Sequence, residues 1–157
     1  MRLGIVSGGF DPVHVGHIRM FKEAKKYCSK LVVIVNNDNW LVNKKGKPFM
    51  NEQERMDILV ALDCVDFVMI STHRKMSDFK TKSIMFDTSV TAELHKLIHD
   101  WQFIVNEFVF MNGGDRKEGN IPEYDFCEKN KIKMMFNIGG GKIQSSSDLV
   151  KKSKVKK

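Results

Sequence analysis

The feature that most limits the fold of this chain is the recurrence of five short apolar runs. They are rich in β-branched or aromatic residues and lie at residues 3–6, 31–35, 67–70, 108–111 and 133–136. Continuous apolar runs of this length are typical of strands buried on both faces, as in a parallel sheet covered by helices. The sequence therefore predicts five strands.

Amphipathic helices are predicted between these runs. In residues 17–30, Phe21 and its helically spaced apolar neighbours face one side while charges occupy the other. A second helix begins at Asn51, whose side chain can cap the first amides while Glu54 reaches back in a capping box, and it ends at about residue 63. Further helices are predicted at 91–99, at 123–130 and after the serines 145–147, whereas 71–86 and 101–107 are predicted loops.

Alternation of strands and helices predicts an α/β domain with three layers, α/β/α, around a five-stranded parallel sheet. In such sheets ligands bind at the carboxyl ends of the strands, so residues that follow strands are the candidates for a site. A length of 157 residues with 42% hydrophobic residues is sufficient for one core. One domain is expected over residues 1–150, followed by a basic tail at 151–157.

Composition disfavours several other classes of protein. The apolar runs fall far short of the ~20 residues of a membrane-spanning helix, and residues 1–5 lack signal-peptide features, so a cytoplasmic location without membrane contact is expected. Cys28, Cys64 and Cys127 form no CxxC pair, which argues against zinc and disulfides. The formal charge of +7 lies partly in the lysine tail, interpreted as a solvated terminus rather than a nucleic-acid contact, and the rest suits an anionic substrate.

The first predicted strand leads into the segment SGGFDPVHVGH at residues 7–17. Glycines let backbone amides approach phosphate oxygens, and a helix N-terminus adds free N–H groups and partial positive charge. His14 and His17 can donate hydrogen bonds to oxygens that gain negative charge as an α-phosphorus becomes five-coordinate. The alternatives are an ordinary strand-to-helix turn and a pair of metal ligands, although neither a cysteine nor a third histidine lies nearby.

This segment resembles the G-x-F-D-x-x-H-x-G-H signature of the cytidylyltransferase-like nucleotidyltransferases. The resemblance implies a Rossmann-like fold, with His14 and His17 as catalytic residues at the triphosphate. It also implies that glycines and neighbouring backbone groups hold the nucleotide; these residues are Gly8, Gly9, Phe10, Asp11 and Gly16. Many family members have a phosphate-contacting threonine at the position of Gly9, so that one contact is in question.

The resemblance continues through VNND, KKGKP and NEQERM within residues 35–56. Lysines on a predicted loop after the second strand can neutralise charge on the bridging oxygen and on pyrophosphate. Lys45, directly before the glycine, is the predicted catalytic lysine, and Lys44 is a candidate substrate or phosphate contact. The match makes Arg55 an active-site anchor that binds the nucleotide. For the lysines the alternative is a solvated basic loop, and for Arg55 it is a surface salt bridge.

Two later segments complete the resemblance. Residues 113–116, GGDR, resemble the family's G-G-D turn, which places Gly114 and Asp115 at the nucleotide and makes Arg116 a candidate phosphate contact. Residues 139–147, GGGKIQSSS, resemble its I-S-[ST]-T helix start. This start would bind the β- and γ-phosphates through Ser145, Ser146 and Ser147, with Lys142 as a further candidate contact. Gln144 and Asp148 depart from that pattern.

The resemblance implies in-line attack by an acceptor phosphate on the α-phosphorus of ATP or CTP, with Mg²⁺ as the expected cofactor. Residues 113–115 are similar to heptose-phosphate adenylyltransferase domains, which favours a sugar phosphate; a glycerol-3-phosphate-type cytidylyltransferase is the alternative. A homodimer is expected. The alternative from another class is a nucleotide- or RNA-binding protein without turnover. His95 and His99 are predicted to be a surface pair on a helix rather than metal ligands.

Overall fold

A computed structural model describes residues 1–76 and 86–154 of the chain. Strands and helices alternate along it, with one additional helix between the second and third strands. The elements in chain order are β1 (Arg2–Gly8), α1 (Val15–Lys25), β2 (Lys30–Val35), α2 (Asp38–Lys45), α3 (Glu52–Val60), β3 (Phe67–Ile70), α4 (Thr91–Trp101), β4 (Glu107–Gly113), a 3-10 helix (Glu118–Asn120), α5 (Tyr124–Lys129), β5 (Lys133–Ile138) and α6 (Ser146–Ser153).

The five strands form one sheet in the order β3-β2-β1-β4-β5, and all four neighbouring pairs are parallel. The predicted five-stranded parallel sheet is therefore confirmed. The chain adds β2 and β3 on one side of β1 and then returns to add β4 and β5 on the other. This reversal places a topological switch point at the carboxyl ends of β1 and β4, where ligands of open α/β sheets bind.

Helices cover both faces of the sheet, as predicted. On one face Ile5 and Phe110 pack in a core cluster with Leu94 of α4 and Cys127 of α5. On the other face a second cluster of buried residues includes Val6, Val33, Phe21 of α1 and Leu59 of α3. Side chains that alternate between two buried faces explain why each strand reads as a continuous apolar run.

The segment that carries Lys44 and Lys45 was predicted as a loop, and that prediction is wrong, because it forms helix α2. The Asn37 side chain caps α2 by accepting a hydrogen bond from the backbone N–H of Trp40 at 2.9 Å. Gly46 ends the helix with a φ of 85°, a conformation that costs glycine little. With only two buried side chains among eight residues, α2 lacks the long apolar stripe by which helices are recognised.

Other predicted boundaries shift by a few residues. Helix α1 runs from Val15 to Lys25 rather than over 17–30. Asn51 caps α3 as predicted, accepting from the Glu54 N–H at 2.9 Å, and the helix ends at Val60. Residues 102–106 form the predicted connection between α4 and β4.

The remaining expectations concern the predicted loop at 71–86, the basic tail, the three cysteines and membrane-spanning helices. Of the predicted loop at 71–86, residues 77–85 lie outside the described part of the structure, as do residues 155–157 of the predicted tail. All three cysteines are free thiols. Within the described ranges, helices are too short and too polar to cross a bilayer.

Candidate active site

A cavity of about 420 Å³ opens at the switch point, where the loops after β1, β4 and β5 meet. The β1 loop contributes both histidines, the β4 loop contributes residues 113–116, and residues 138–147 form the opposite wall. Lys44 reaches the same cavity from the last turn of α2. Segments that are far apart in sequence therefore surround one volume large enough for a small ligand.

The turn after β1 is held by a buried aromatic ring. Phe10 has a φ of 51°, in the left-handed region, and only 4% of it is exposed. Its ring meets the edge of His17 at a centroid distance of 4.9 Å and that of Phe21 at 5.3 Å. A Cβ at Gly8 would lie 2.9 Å from this ring, so the ring and the glycine require each other. Phe10 thus acts as the packing anchor that fixes the position of His17.

His14 and His17 cap the N-terminus of α1 through their Nδ1 atoms. Nδ1 of His14 accepts from the Gly16 N–H at 3.0 Å, and Nδ1 of His17 accepts from the His14 N–H at 3.2 Å. Their rings stack at 3.8 Å with an interplanar angle of 19°. Because a backbone N–H occupies Nδ1, the proton of each neutral ring must be on Nε2. The cap therefore sets the tautomer of both rings.

Both imidazoles are neutral at physiological pH. Burial, and then the neighbouring His14, lower the pKa of His17 to about 3. Burial also lowers the pKa of His14, and the Lys142 ammonium adds to this effect. The result is a pair of neutral Nε2–H donors at a helix N-terminus lining the cavity.

Asp11 and Lys45 form an ion pair beside the cavity rather than in its wall. Asp11 is 2% exposed, and its carboxylate accepts from the N–H groups of Phe49 and Met50 at 2.7 and 2.6 Å. The Lys45 ammonium lies 2.6 Å from the same carboxylate and donates to the Asp11 backbone carbonyl at 3.1 Å. This geometry joins the β1 loop to the segment before α3. The catalytic role assigned to Lys45 stays a prediction.

Arg55 is a buried connection between loops. Its side chain is 0% exposed, and it donates to the backbone carbonyls of Gly9 at 2.8 Å and Asn36 at 2.5 Å. It also donates to the Met50 carbonyl at 2.9 Å and pairs with Asp38 at 2.8 Å. Arg55 therefore positions the loops after β1 and β2 and is not part of the cavity wall. Its predicted contact with the nucleotide stays a prediction.

Lys44 is the cation that α2 brings into the cavity. Its ammonium lies 4.7 Å above the centre of the Trp40 ring, a cation–π geometry. Burial lowers its pKa, and the charges of Arg116, Lys45 and Lys142 lower it further. A lysine pKa is lowered in this way where several cations converge on one space, and such a space suits a polyanion.

The β4 loop depends on two glycines for different reasons. A Cβ at Gly113 would lie 2.6 Å from Sδ of Met20 and 2.8 Å from the Ile138 carbonyl oxygen, so there is no room for a side chain. Gly114 has a φ of 61° and turns the chain so that Asp115 and Arg116 line the cavity. The predicted Gly-Gly-Asp turn thus lies where the sequence analysis expected it.

The start of α6 belongs to the wall that residues 138–147 form opposite the β1 and β4 loops. Ser145 caps the helix by accepting from the Asp148 N–H at 3.4 Å. Ser146 donates through its hydroxyl to the Pro12 carbonyl at 2.8 Å, which ties α6 to the β1 loop directly before the histidines. Gly139, with a φ of 86°, brings the preceding loop against Met20 of α1. The α1 and α6 N-termini therefore face the same cavity.

Most predicted site residues are brought together by the fold. Those that line the cavity are Gly8, Phe10, His14, Gly16, His17, Lys44, Gly114, Asp115, Arg116, Lys142, Ser145, Ser146 and Ser147. Gly9, Asp11, Lys45 and Arg55 lie outside its lining. Sequence reasoning missed Ser7, Met20 and Asn112, which also line the cavity. The available signal for Ser7 and Asn112 was their polarity at the ends of otherwise apolar strands.

Metal binding by protein side chains alone finds no support in residues 1–76 and 86–154. No group of three or more His, Cys, Asp or Glu residues there is arranged to hold an ion. His95 and His99 are exposed on α4, as predicted, and His99 lies 3.1 Å from the Asp100 carboxylate.

Known proteins match this chain in sequence. The family model that matches residues 5–138 is described as cytidylyltransferase-like. The bifunctional protein HldE of Hyphomonas neptunium is 44% identical over 130 residues, which cover 82% of this chain and 22% of that protein. HldE of Rhodopseudomonas palustris is 30% identical over 120 residues, covering 73% of this chain and 23% of that protein. The chain thus spans less than a quarter of these curated relatives.

Solved structures share the fold. A lipopolysaccharide core biosynthesis protein from Thermoplasma volcanium GSS1 has a TM-score of 0.60 at 24% identity, covering 87% of this chain and 96% of its own. A bifunctional NMN adenylyltransferase/ADP ribose pyrophosphatase from Francisella tularensis has a TM-score of 0.58 at 13% identity, covering 96% of this chain and 41% of its own. These likenesses confirm the Rossmann-like α/β fold.

Proposed function

Because the chain belongs to the cytidylyltransferase-like family, we propose that it transfers a nucleoside monophosphate from ATP or CTP to a small phosphorylated acceptor, releasing pyrophosphate. Membership confirms the resemblance inferred from the motifs, so the prediction of a nucleotidyltransferase holds at the level of the family. The observation that carries the proposal is the pair of neutral Nε2–H donors of His14 and His17 at the α1 N-terminus, lining a cationic cavity.

In the proposed reaction a phosphate oxygen of the acceptor attacks the α-phosphorus. The new P–O bond forms as the bond to the bridging oxygen breaks, and pyrophosphate takes the bonding electron pair. The acceptor phosphate is already anionic near neutral pH, so no side chain has to remove a proton from it. Nε2–H groups of His14 and His17 donate to oxygens that become more negative in the transition state. Positioning and charge stabilisation supply the acceleration.

The departing pyrophosphate would be bound by the cationic part of the cavity. Lys44, Arg116 and Lys142 line it together with the free amides at the α6 N-terminus. Ammonium and guanidinium groups neutralise charge as it accumulates on the leaving group, and helix amides bind phosphate without a counter-charge of their own. Lys45 remains the alternative cation for this step, provided that it leaves its ion pair with Asp11.

Mg²⁺ is the proposed cofactor. This ion usually binds one or two carboxylates together with substrate phosphates, so it does not require a full set of protein ligands. Asp115, an exposed carboxylate in the cavity lining, fits this mode and would hold the ion beside the triphosphate. When bound, the ion supplies charge neutralisation for the phosphates.

We propose a sugar phosphate as the acceptor. Support comes from residues 113–115, which resemble heptose-phosphate adenylyltransferase domains. A glycerol-3-phosphate-type or other alcohol-phosphate cytidylyltransferase is the alternative. The cytoplasmic location and the homodimer stay predictions.

The test is pyrophosphate release with each of four nucleoside triphosphates against a panel of sugar, polyol and amino-alcohol phosphates, with product masses recorded. We expect ATP or CTP to support release with at least one sugar phosphate. Triphosphate or RNA binding without pyrophosphate release for any pair would replace the enzyme with a binding protein of the same fold.

A further inference from the structure

Three buried side chains each keep one polar atom without a hydrogen-bond partner in the described part of the protein. They are Asn36 at Oδ1, Asn112 at Nδ2 and Glu123 at Oε2, and the three residues are 2%, 4% and 2% exposed. Leaving a buried donor or acceptor unpaired is unfavourable, so each such atom requires an explanation. A ligand absent from the structure is one explanation, and it applies where the side chain lines a cavity. Of the three, Asn112 does so.

Asn112 and Ser7 line the cavity from the ends of the neighbouring strands β4 and β1. Strands β1 and β4 pair in register, with Ile5 opposite Phe110. Ser7 and Asn112 each come two residues later, so their side chains point to the same face as Ile5 and Phe110. Both line the cavity, and the Ser7 hydroxyl makes no hydrogen bond to any described residue. Two neighbouring hydrogen-bonding side chains are thus free to meet a ligand.

The other two unpaired atoms lie on this same side of the sheet. Asn36 follows β2 two residues after Ile34, which belongs to the same core cluster as Ile5. Glu123 accepts from the Val90 N–H through Oε1 at 3.0 Å, and Val90 is also in that cluster. The three unpaired buried polar atoms of the described residues therefore lie on the same side of the sheet. Neither Asn36 nor Glu123 lines the cavity.

The helix that carries the two histidines proposed to bind the triphosphate lies on the opposite side of the sheet. Helix α1, which carries both histidines, buries Phe21 in the second core cluster, together with Val6 and Met111. In-line displacement needs the entering and leaving oxygens on opposite sides of the α-phosphorus. With the polyphosphate at α1 and α6, the acceptor approaches from the side of Ser7 and Asn112.

We propose that Ser7 and Asn112 bind hydroxyl groups of the acceptor and thereby select a polyhydroxylated phosphate. This inference rests on the proposed function. A hydroxyl group of the acceptor both donates and accepts, and the serine hydroxyl and the amide offer both functions in return. Both side chains are also neutral, so they add no repulsion next to the anionic reacting centre. The Nδ2 of Asn112 gains the partner that it lacks in the free protein.

The experiment compares Ser7→Ala and Asn112→Leu with Ser29→Ala and Asn130→Leu, which are matched changes at exposed positions outside the cavity. Steady-state kinetics are measured by pyrophosphate release with the best sugar phosphate and its monodeoxy analogues. We expect each cavity variant to raise the KM of the acceptor about tenfold, as the loss of one hydrogen bond does, with the KM of the triphosphate within about twofold of wild type. The matched variants should resemble wild type.

The deoxy analogues provide the readout that a merely structural role would not change. Wild type should discriminate about tenfold against the analogue lacking the recognised hydroxyl, and one of the two cavity variants should lose that discrimination. Thermal unfolding checks the fold of each variant, and Asn112→Ala, which removes the amide without adding a charge, replaces Asn112→Leu if that variant does not fold. An effect on the KM of the triphosphate instead, or unchanged discrimination, overturns the inference.

Failure of this inference is distinguishable from failure of the proposed function. A wild-type chain that releases no pyrophosphate with any acceptor contradicts the function itself. A wild-type chain that is active but prefers amino-alcohol phosphates without further hydroxyls contradicts only the assignment of Ser7 and Asn112.

Discussion

At the scale of single residues, the proposed chemistry depends on the protonation of two imidazoles. His14 and His17 each receive a backbone N–H at Nδ1, so each neutral ring carries its proton on Nε2. A cationic ring would lose the Nδ1 acceptor and with it the cap of α1. The same hydrogen bonds therefore serve the helix and the proposed chemistry.

Replacing His17 with alanine should leave the fold intact and lower kcat by a factor on the order of 10² or more, as removal of a transition-state donor does. His95→Ala is the control, since His95 is exposed on α4 outside the cavity. Pyrophosphate release measures both variants. Full activity of His17→Ala would remove His17 from the mechanism.

The low pKa of His17 predicts how stability depends on pH. Its pKa is about 3 in the folded chain, against the 6.5 that is usual for a histidine exposed to water. Between these values the unfolded chain binds the proton and the folded chain does not, so stability is full above pH 6.5 and is lost as the pH falls toward 3. Thermal unfolding between pH 7 and pH 5 should show a shallower decline for His17→Gln than for wild type or His95→Gln. Equal slopes would mean that His17 titrates normally in the folded protein.

Lys44 and Lys45 should respond differently to alanine substitution. Lys44 lines the cavity, so Lys44→Ala should raise the KM of the triphosphate about tenfold with little change in unfolding. Lys45 pairs with the buried Asp11, so Lys45→Ala should lower the free energy of unfolding by about 1–3 kcal/mol. Chemical denaturation and steady-state kinetics separate the two effects. A stable Lys45→Ala that has lost turnover would instead support the catalytic role predicted for Lys45.

At the scale of secondary-structure elements, loops after different strands are held together by buried connections. Arg55 of α3 joins the backbone of Gly9, after β1, to that of Asn36, after β2. Ser146 of α6 binds the Pro12 carbonyl. The cavity walls therefore depend on a contact made from outside the lining, by Arg55, as well as on one made within it, by Ser146.

Arg55→Leu should destabilise the fold strongly, by about 3–5 kcal/mol, because three backbone carbonyls and Asp38 lose their donor in a buried setting. Arg116→Leu, a matched change at a cavity-lining position, should alter kinetics with a much smaller effect on unfolding. Urea denaturation compares the two. An Arg55→Leu variant as stable as wild type would contradict the positioning role and return Arg55 to ligand binding.

Gly139→Ala should also destabilise the chain, by about 1–2 kcal/mol or more, since Gly139 has a φ of 86° and a Cβ would lie 3.0 Å from the Met20 Cα. Gly119→Ala is the matched control, because a Cβ there meets nothing within 4 Å. Thermal unfolding of both variants measures the difference. Equal midpoints would show that the loop after β5 tolerates a side chain.

At the scale of the whole molecule, the strand pattern and the order of motifs were sufficient to predict the sheet and most of the cavity. Short continuous apolar runs indicate strands that are buried on both faces. Because each motif follows a strand, parallel pairing brings the motifs to one edge of the sheet. Helix α2 was missed because its burial comes from Trp40 and Leu41 alone. Sequence spacing also could not tell Lys44 from Lys45, since one helical step decides which ammonium faces the cavity and which meets Asp11.

The fate of isotopic labels shows whether the acceptor attacks the α-phosphorus. With ATP or CTP and an active sugar phosphate, we predict that label in the α-phosphate enters the acceptor product, while label in the β- and γ-phosphates leaves as pyrophosphate in equal molar amount. Transfer of the γ-label to the acceptor, or its release as inorganic phosphate by the purified chain, would contradict the account, because it would place the reaction at the other end of the triphosphate.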